Sequence, residues 1–320
     1  MSQPLLSVTG LGVQFGTFAA LQDVSFDLAD GETMGLVGES GSGKSTLARA
    51  ILRLVPATRG RLLWRGEDLL SCGARALRQR RRDLQIVFQD PMASLNPRMR
   101  VGETLAEPLK IFEAGLTSAA RATRIARMLE RVGLSPEMAR RYPHEFSGGQ
   151  CQRIGIARAM MLRPKLLVCD EPVSSLDVSI QGQIVNLLLD LQREFGTAMI
   201  FISHNLAVVR HLSHRVLVMY RGRLVEVASR DALFGAPAHP YTRALLAAVP
   251  DPTRAFAGRA LTTGEAAPAA GRTPPALGGC AFHDRCPYAQ PVCLDTVPTL
   301  QEVEAEHIVA CHRWREVVYS

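Results

Sequence analysis

Gly38-Glu39-Ser40-Gly41-Ser42-Gly43-Lys44-Ser45-Thr46 is the stretch that decides the fold. It fits G-x-x-x-x-G-K-[ST], with Gly38, Gly43, Lys44 and Ser45 at the fixed positions. Glycines let a backbone curl tightly, so that the successive N–H groups of residues 38–46 can point at phosphate oxygens. Lys44 adds a mobile point charge for β- and γ-phosphates, and the Ser45 hydroxyl suits Mg²⁺. A helix starting near Ser45 would turn its positive end toward the same anion. The flanks agree: residues 33–37 form an apolar strand candidate and residues 47–52 a helical continuation. That strand–loop–helix order is what the motif requires, and a plain Gly/Ser turn would lack it. The stretch therefore implies a nucleoside triphosphate site.

The chain has 320 residues, room for one large domain and a smaller one, and its 47% hydrophobic and 21% charged residues permit a sizeable core. No run of 18 or more apolar residues occurs, so no membrane-spanning helix is expected. Residues 1–6 have neither a charged start nor a long apolar stretch, so no secretory signal is read and a cytosolic protein is expected. The net charge of +7 is compatible with nucleic acid, an anionic membrane or a nucleotide. Its densest run, Arg78-Gln79-Arg80-Arg81-Arg82, lacks interleaved aromatics and reads as a solvated helix face. Four of the seven cysteines, Cys280, Cys286, Cys293 and Cys311, cluster near the C-terminal end. In a cytosolic chain that clustering favours metal over disulfides.

Residues 5–37 read as β-rich, with a hairpin turn expected at Asp30-Gly31. Phe15 is either a core aromatic or a ring presented to a nucleotide base. Residues 84–88 form a strand ending at Gln89, followed by an irregular stretch over 90–97. Residues 117–132 carry apolar positions at helical spacing and stop at Gly133. Ser147-Gly148-Gly149-Gln150 precedes a helical run at 154–159, a second possible anion site. The strand 166–171 ends in Asp170 and Glu171, Asp177 can cap the next helix, and Gly196 closes that helix. A strand at 198–202 terminates at Ser203-His204, and a hairpin around Arg221-Gly222 follows. Alternating strands and amphipathic helices predict a mostly parallel sheet covered on both faces. Ligands of such sheets sit beyond the carboxyl ends of the strands, where Gly38, Gln89, Asp170–Glu171 and His204 all fall. Residues 251–279, rich in Ala, Pro, Gly and Thr, read as a linker.

With these residues in view, the chain resembles the ATP-binding subunits of ABC transporters over nearly its full length. The Walker A loop is 38–46, the Gln-loop residue Gln89, the signature 146–150, Walker B 166–171, the D-loop 174–177 and the switch histidine His204. The stretch 89–99, the His239-Pro240-Tyr241-Thr242 segment and the cysteine-bearing tail resemble the oligopeptide/dipeptide importer group. Cys169–Ser174 and Ser147–Arg153 are most similar to the F-type member of its paired D/F ATPases. Departures are small: Phe146 for Leu, Ser175 for Ala, Asn205 for Asp, and Phe15 for the adenine-stacking Tyr.

The resemblance implies a P-loop NTPase fold: a RecA-like core sheet, an antiparallel β subdomain and an α-helical subdomain at about 91–158, all within 1–235. Residues 236–320 would form the importer-type extension. It implies ATP and Mg²⁺, with Ser45, Gln89 and Asp170 on the metal, Glu171 polarising the attacking water, and Lys44 and His204 stabilising the transition state. Phe15 would stack on adenine, and Ser147, Gly148, Gly149, Gln150 and Asp177 would complete the ATP site of a second, D-type ATPase subunit. Two permeases, an extracytoplasmic binding protein and a peripheral position on the cytoplasmic face of the inner membrane follow from the same likeness. The tail spacing C-x5-C-x6-C-x17-C is not the tight pairing of zinc sites. A [4Fe-4S] cluster is implied by the related importers, with zinc or metal-free thiols as the alternatives. The expected function is the ATPase of a di- or oligopeptide importer. Another cargo, such as a nickel chelate or glutathione, is one alternative. A soluble ABC ATPase acting on nucleic acid is the other, against which stands the absence of sustained heptads; no nucleic acid partner is expected.

Overall fold

The structure, a computed structural model, describes residues 3–248 and 278–319. The expected linker at 251–279 lies almost wholly outside them. Two compact units emerge, 1–224 and 225–320.

Unit 1 opens with β1 (Leu6–Phe15), β2 (Phe18–Leu28) and β3 (Thr33–Val37), followed by α1 (Lys44–Ile51). Next come β4 (Arg59–Trp64), β5 (Glu67–Asp68), α2 (Ala74–Arg80) and β6 (Leu84–Val87). Helices α3 (Val101–Phe112), α4 (Ser118–Arg131) and α5 (Gly148–Met160) make up a helical stretch. The unit then alternates β7 (Leu166–Asp170), α6 (Val178–Phe195), β8 (Ala198–Ile202), α7 (Leu206–Leu212) and β9 (Arg215–Tyr220).

Two sheets result. One is antiparallel, in the order β2-β1-β4-β5. The other runs β9-β3-β8-β7-β6, with every pair parallel. Every residue of β3, β7 and β8 is buried, the continuous apolar run that a sheet covered on both faces needs. Helix α6 buries Ile184, Val185, Leu187, Leu188 and Leu191, each contributing about 1.5–3 kcal/mol by leaving water. Gly196 ends that helix in the left-handed conformation, as a C-cap should.

Two local expectations change. Asp30-Gly31 makes no hairpin, because β2 and β3 belong to different sheets; the turn carries the chain from one to the other, with Glu32 Oε2 accepting the Ala29 N–H at 2.8 Å. Asp177 holds the position before α6, yet its side chain accepts no capping bond. The Arg221-Gly222 turn has positive φ at both residues (46° and 79°), the geometry of a two-residue hairpin.

Unit 2 begins within β10 (Arg223–Ser229), continues through α8 (Arg230–Gly235) and α9 (Pro240–Ala247), and resumes with α10 (Pro291–Asp295), β11 (Gln301–Glu304), β12 (His307–Val309) and α11 (Trp314–Tyr319). Strand β12 pairs antiparallel with both β10 and β11. Inside lies the fully buried carboxylate of Glu226, which accepts the N–H groups of Ala238 (2.6 Å) and His239 (3.0 Å) and meets His307 Nε2 at 2.7 Å. Burial drives His239 from its ordinary 6.5 down to about 4, although the Glu226 charge and a bond to the Ala310 backbone pull upward. Unfolding therefore takes up a proton between about pH 6.5 and 4, so the contribution is complete above that window and is lost as pH falls through it. Its size is about 3 kcal/mol. The thermal midpoint should thus drop more steeply with acid in the native chain than in His239→Gln; parallel curves would remove His239 from this role.

Candidate nucleotide site

The loop between β3 and α1 closes on its own lysine. Lys44 Nζ donates to the carbonyls of Gly38 (2.8 Å) and Glu39 (2.9 Å) and lies 3.5 Å from Ser42 Oγ. Burial lowers its pKa, while the charges of Glu171, Asp170 and Glu39 oppose that shift. Gly38 leaves no room for a side chain: at φ +151° an added Cβ would lie 2.2 Å from the Met219 carbonyl oxygen. Helix α1 then starts at Lys44 and offers its free N–H groups to the concavity.

The carboxyl end of β7 lies beside this loop. Ser45 Oγ donates to Asp170 Oδ1 at 2.8 Å. Burial raises the Asp170 pKa, partly offset by that bond and by the Arg49 charge. Glu171 follows with φ 49°, a left-handed backbone uncommon for a side-chain-bearing residue. Its N–H donates to the Ile202 carbonyl at 3.1 Å, and Ser174 Oγ donates to its carbonyl at 3.1 Å. Its carboxylate gathers two neighbours: Gln89 Nε2 at 3.3 Å from the end of β6, and His204 Nδ1 at 3.4 Å from the end of β8. Lysine loop, Asp170–Glu171, Gln89 and His204 thus meet at one rim of one sheet.

The remaining candidates lie apart. Phe15, at the tip of the β1–β2 hairpin, is 50% exposed, which rules out the core-aromatic alternative. Ser147, Gly148, Gly149 and Gln150 open α5, and their bonds are local. Ser147 Oγ accepts from Gln150 N–H (3.3 Å), and Gln150 Oε1 accepts from Ser147 N–H (3.0 Å). Asp177 is exposed beside Val178, which is 84% exposed. Two contributors escaped sequence reasoning. Ser174 was visible only as a letter of the D-loop. Arg158 of α5 donates to the Ser94 carbonyl at 2.6 Å, and only its place in an apolar helical run hinted at burial.

In unit 2, Cys280, Cys286, Cys293 and Cys311 line one small cavity together with Phe282, Tyr288 and His239. None forms a disulfide. Burial raises the Cys280 and Cys286 thiols and pushes Cys311 up to about 12, with the other thiols adding to the shift. Backbone N–H groups two residues onward oppose it: Phe282 toward Cys280, Tyr288 toward Cys286, and Arg313 toward Cys311 Sγ at 3.4 Å. Among the described residues no three His, Cys, Asp or Glu groups are set to hold a single metal ion. A tetrahedral zinc would draw its sulfurs to about 3.8 Å from one another, given Zn–S bonds of about 2.3 Å. The cavity thus presents four soft thiols with backbone N–H groups aimed at three of the sulfurs.

Comparison with known proteins agrees with this geometry. Residues 21–174 match the ABC transporter family, and residues 225–293 match the oligopeptide/dipeptide transporter C-terminal region. The oligopeptide transport ATP-binding protein OppF of Salmonella typhimurium is 52% identical over 92% of this chain and 88% of its own length. OppF of Haemophilus influenzae is 49% identical over 96% of both. Among solved structures, cbiO1 from Clostridium perfringens, part of the ABC transporter complex cbiONQ, superposes with a TM-score of 0.66 at 26% identity, covering 73% of this chain and 91% of that one. The ATP-binding cassette MJ0796, in a post-hydrolysis state bound to ADP and Pi, gives 0.64 at 27% identity, over 70% and 98%. No helix among the described residues is long and apolar enough to cross a membrane. A phosphate loop facing Asp170–Glu171, Gln89 and His204, matched over 92% and 96% of the chain by these relatives, identifies an ATPase: the chain belongs to the ATP-binding proteins of the ABC transporter family and carries their oligopeptide/dipeptide-type C-terminal region.

Proposed function

We propose that this ATPase powers the import of di- or oligopeptides through a membrane ABC transporter. The observation that carries the peptide reading is the match of residues 225–293 to the oligopeptide/dipeptide transporter C-terminal region. Residues 1–235 would serve as the nucleotide-binding domain, with a helical lobe at about 91–158, and 236–320 as the extension. Lys44 and the N–H groups of the 38–46 loop hold the β- and γ-phosphates; the present bonds of Lys44 to Gly38 and Glu39 give way to them. Mg²⁺ would be held by Ser45 and Gln89, with Asp170 behind, and would neutralise phosphate charge. The Ser45–Asp170 bond supports that pairing. Glu171 orients and polarises the attacking water, with His204 beside it to meet the developing charge.

The exposed Phe15 would stack on adenine, so Phe15→Ala should weaken ATP affinity by about 1–2 kcal/mol without changing the rate at saturation, as titration with a fluorescent ATP analogue would reveal. The signature 147–150 and Asp177 would close over ATP held by a D-type partner ATPase, a role that the exposure of Ser147, Gly148 and Asp177 supports. The assembly would contain two permeases and an extracytoplasmic binding protein, with this chain peripheral on the cytoplasmic face of the inner membrane. Cys280, Cys286, Cys293 and Cys311 would hold a [4Fe-4S] cluster, which when bound would supply four Fe–S links that cross-brace unit 2. Anaerobically purified protein should then absorb broadly near about 400 nm and contain iron, and Cys311→Ser should lose both. Colourless, iron-free protein would leave the thiols structural.

Deleting the chain and following uptake of labelled di- and tetrapeptides tests the transport role. Uptake should fail and return with the native chain but not with Glu171→Gln. Unimpaired peptide uptake in the deletion would end this reading.

A further inference from the structure

A groove of about 760 Å³ opens in unit 1 where α4 faces the start of β6 and the segment 161–165 ahead of β7. It sits at the amino ends of these strands. Gln89 and Asp170 lie at the opposite ends, some 13–17 Å away at about 3.3 Å per strand residue. The groove and the nucleotide site share no lining residue.

Its walls carry Arg82, Arg124, Arg127, Arg131, Arg163 and Lys165 against the carboxylates of Asp83 and Glu113. Glu113 serves two of these cations, Arg82 at 3.1 Å and Arg124 at 2.5 Å. Glu194 pairs with Arg131 at 2.6 Å. Six cations against these three carboxylates leave a surplus of three positive charges in one concavity. The guanidinium groups are also placed rather than loose. Arg131 and Arg163 both stack on the Phe195 ring, at 5.4 and 5.5 Å, and Arg124 donates to the Met161 carbonyl at 2.6 Å. Met128, Met161 and Leu162 supply a buried apolar floor. Crowding like charges into a recess is costly unless an anion neutralises them, and guanidinium forks match phosphate oxygens two at a time. The volume lies in the range of small-molecule sites, about 300–1,000 Å³. A flat membrane or a long polyanion would call for a convex or extended basic surface instead of a recess.

We propose that this groove binds a small polyphosphorylated anion, separately from the nucleotide at the 38–46 loop. Such an occupant would bind α4 to the start of β6 and the segment ahead of β7, so its presence would set how freely that helix moves against the sheet.

Calorimetry with inorganic tripolyphosphate tests this. The full chain is used, its nucleotide loop filled by excess ADP and magnesium left out. One further binding event is expected, weakening as salt rises. Arg127 is exposed and Lys165 only half-buried, so reversing their charge leaves the core intact. The double variant Arg127→Glu/Lys165→Glu should lose at least about tenfold in tripolyphosphate affinity, while Arg127→Lys/Lys165→Arg stays within about threefold. ADP affinity at the loop should be unchanged in both, which keeps this result separate from the ATPase assignment. No second event, or equal affinity in the charge-reversed variant, overturns the proposal. So does binding to phosphatidylglycerol vesicles that needs Arg127 and Lys165 but is not competed by tripolyphosphate, since the partner would then be a lipid surface.

Discussion

Glu171→Gln should bind ATP with near-native affinity and hydrolyse it at least about a hundredfold more slowly, a loss of about 3–4 kcal/mol in transition-state stabilisation. The amide keeps the size of the carboxylate and can still meet Gln89 and His204, at 3.3 and 3.4 Å in the native chain. What it loses is the anionic oxygen proposed above to polarise the attacking water. ATP affinity should survive because the loop and Lys44 carry it, and the closest bonds of Lys44 go to the carbonyls of Gly38 and Glu39. Single-turnover phosphate release beside fluorescent-nucleotide titration separates the two quantities. A variant that turns over within about threefold of native would transfer the water-activating role to another group.

Gly38→Ala should damage both the fold and the nucleotide loop. The new Cβ would stand 2.2 Å from the Met219 carbonyl oxygen and 2.8 Å from Ser42 Oγ, at a φ of +151° that L side chains rarely adopt. Strain and clash together predict about 2–4 kcal/mol of lost stability. ATP affinity should fall at least about tenfold because the loop must move to relieve the contact. Gly41→Ala is the control: its φ is +78°, but nothing lies within 4 Å of the added carbon. It should cost only the left-handed backbone term, about 1–2 kcal/mol. Urea melts with and without ATP measure both; equal midpoints for the two variants would show that the Met219 contact is relieved at no cost.

The nucleotide site was readable because its residues stand at strand ends, and strands of a covered parallel sheet announce themselves as apolar runs such as 166–170 and 198–202. Which sheet a strand joins was less legible. Asp30-Gly31 has ordinary turn chemistry, and that chemistry serves a crossing between sheets as well as a hairpin. The Glu226 carboxylate was invisible for a different reason: it meets the His239 backbone 13 positions away and the His307 ring 81 positions away. No local pattern records such pairings. Arg82 likewise read as one more solvated arginine, since nothing nearby in sequence reveals Glu113 across the groove.

The bond from Arg158 to the Ser94 carbonyl has a mechanical meaning. Helix α5 begins with the Ser-Gly-Gly turn, while Ser94 lies five places beyond Gln89 on the irregular strap leading away from the sheet. The guanidinium acts as a tie-rod between them, so losing it would cut a direct link from the Ser-Gly-Gly helix to the strap.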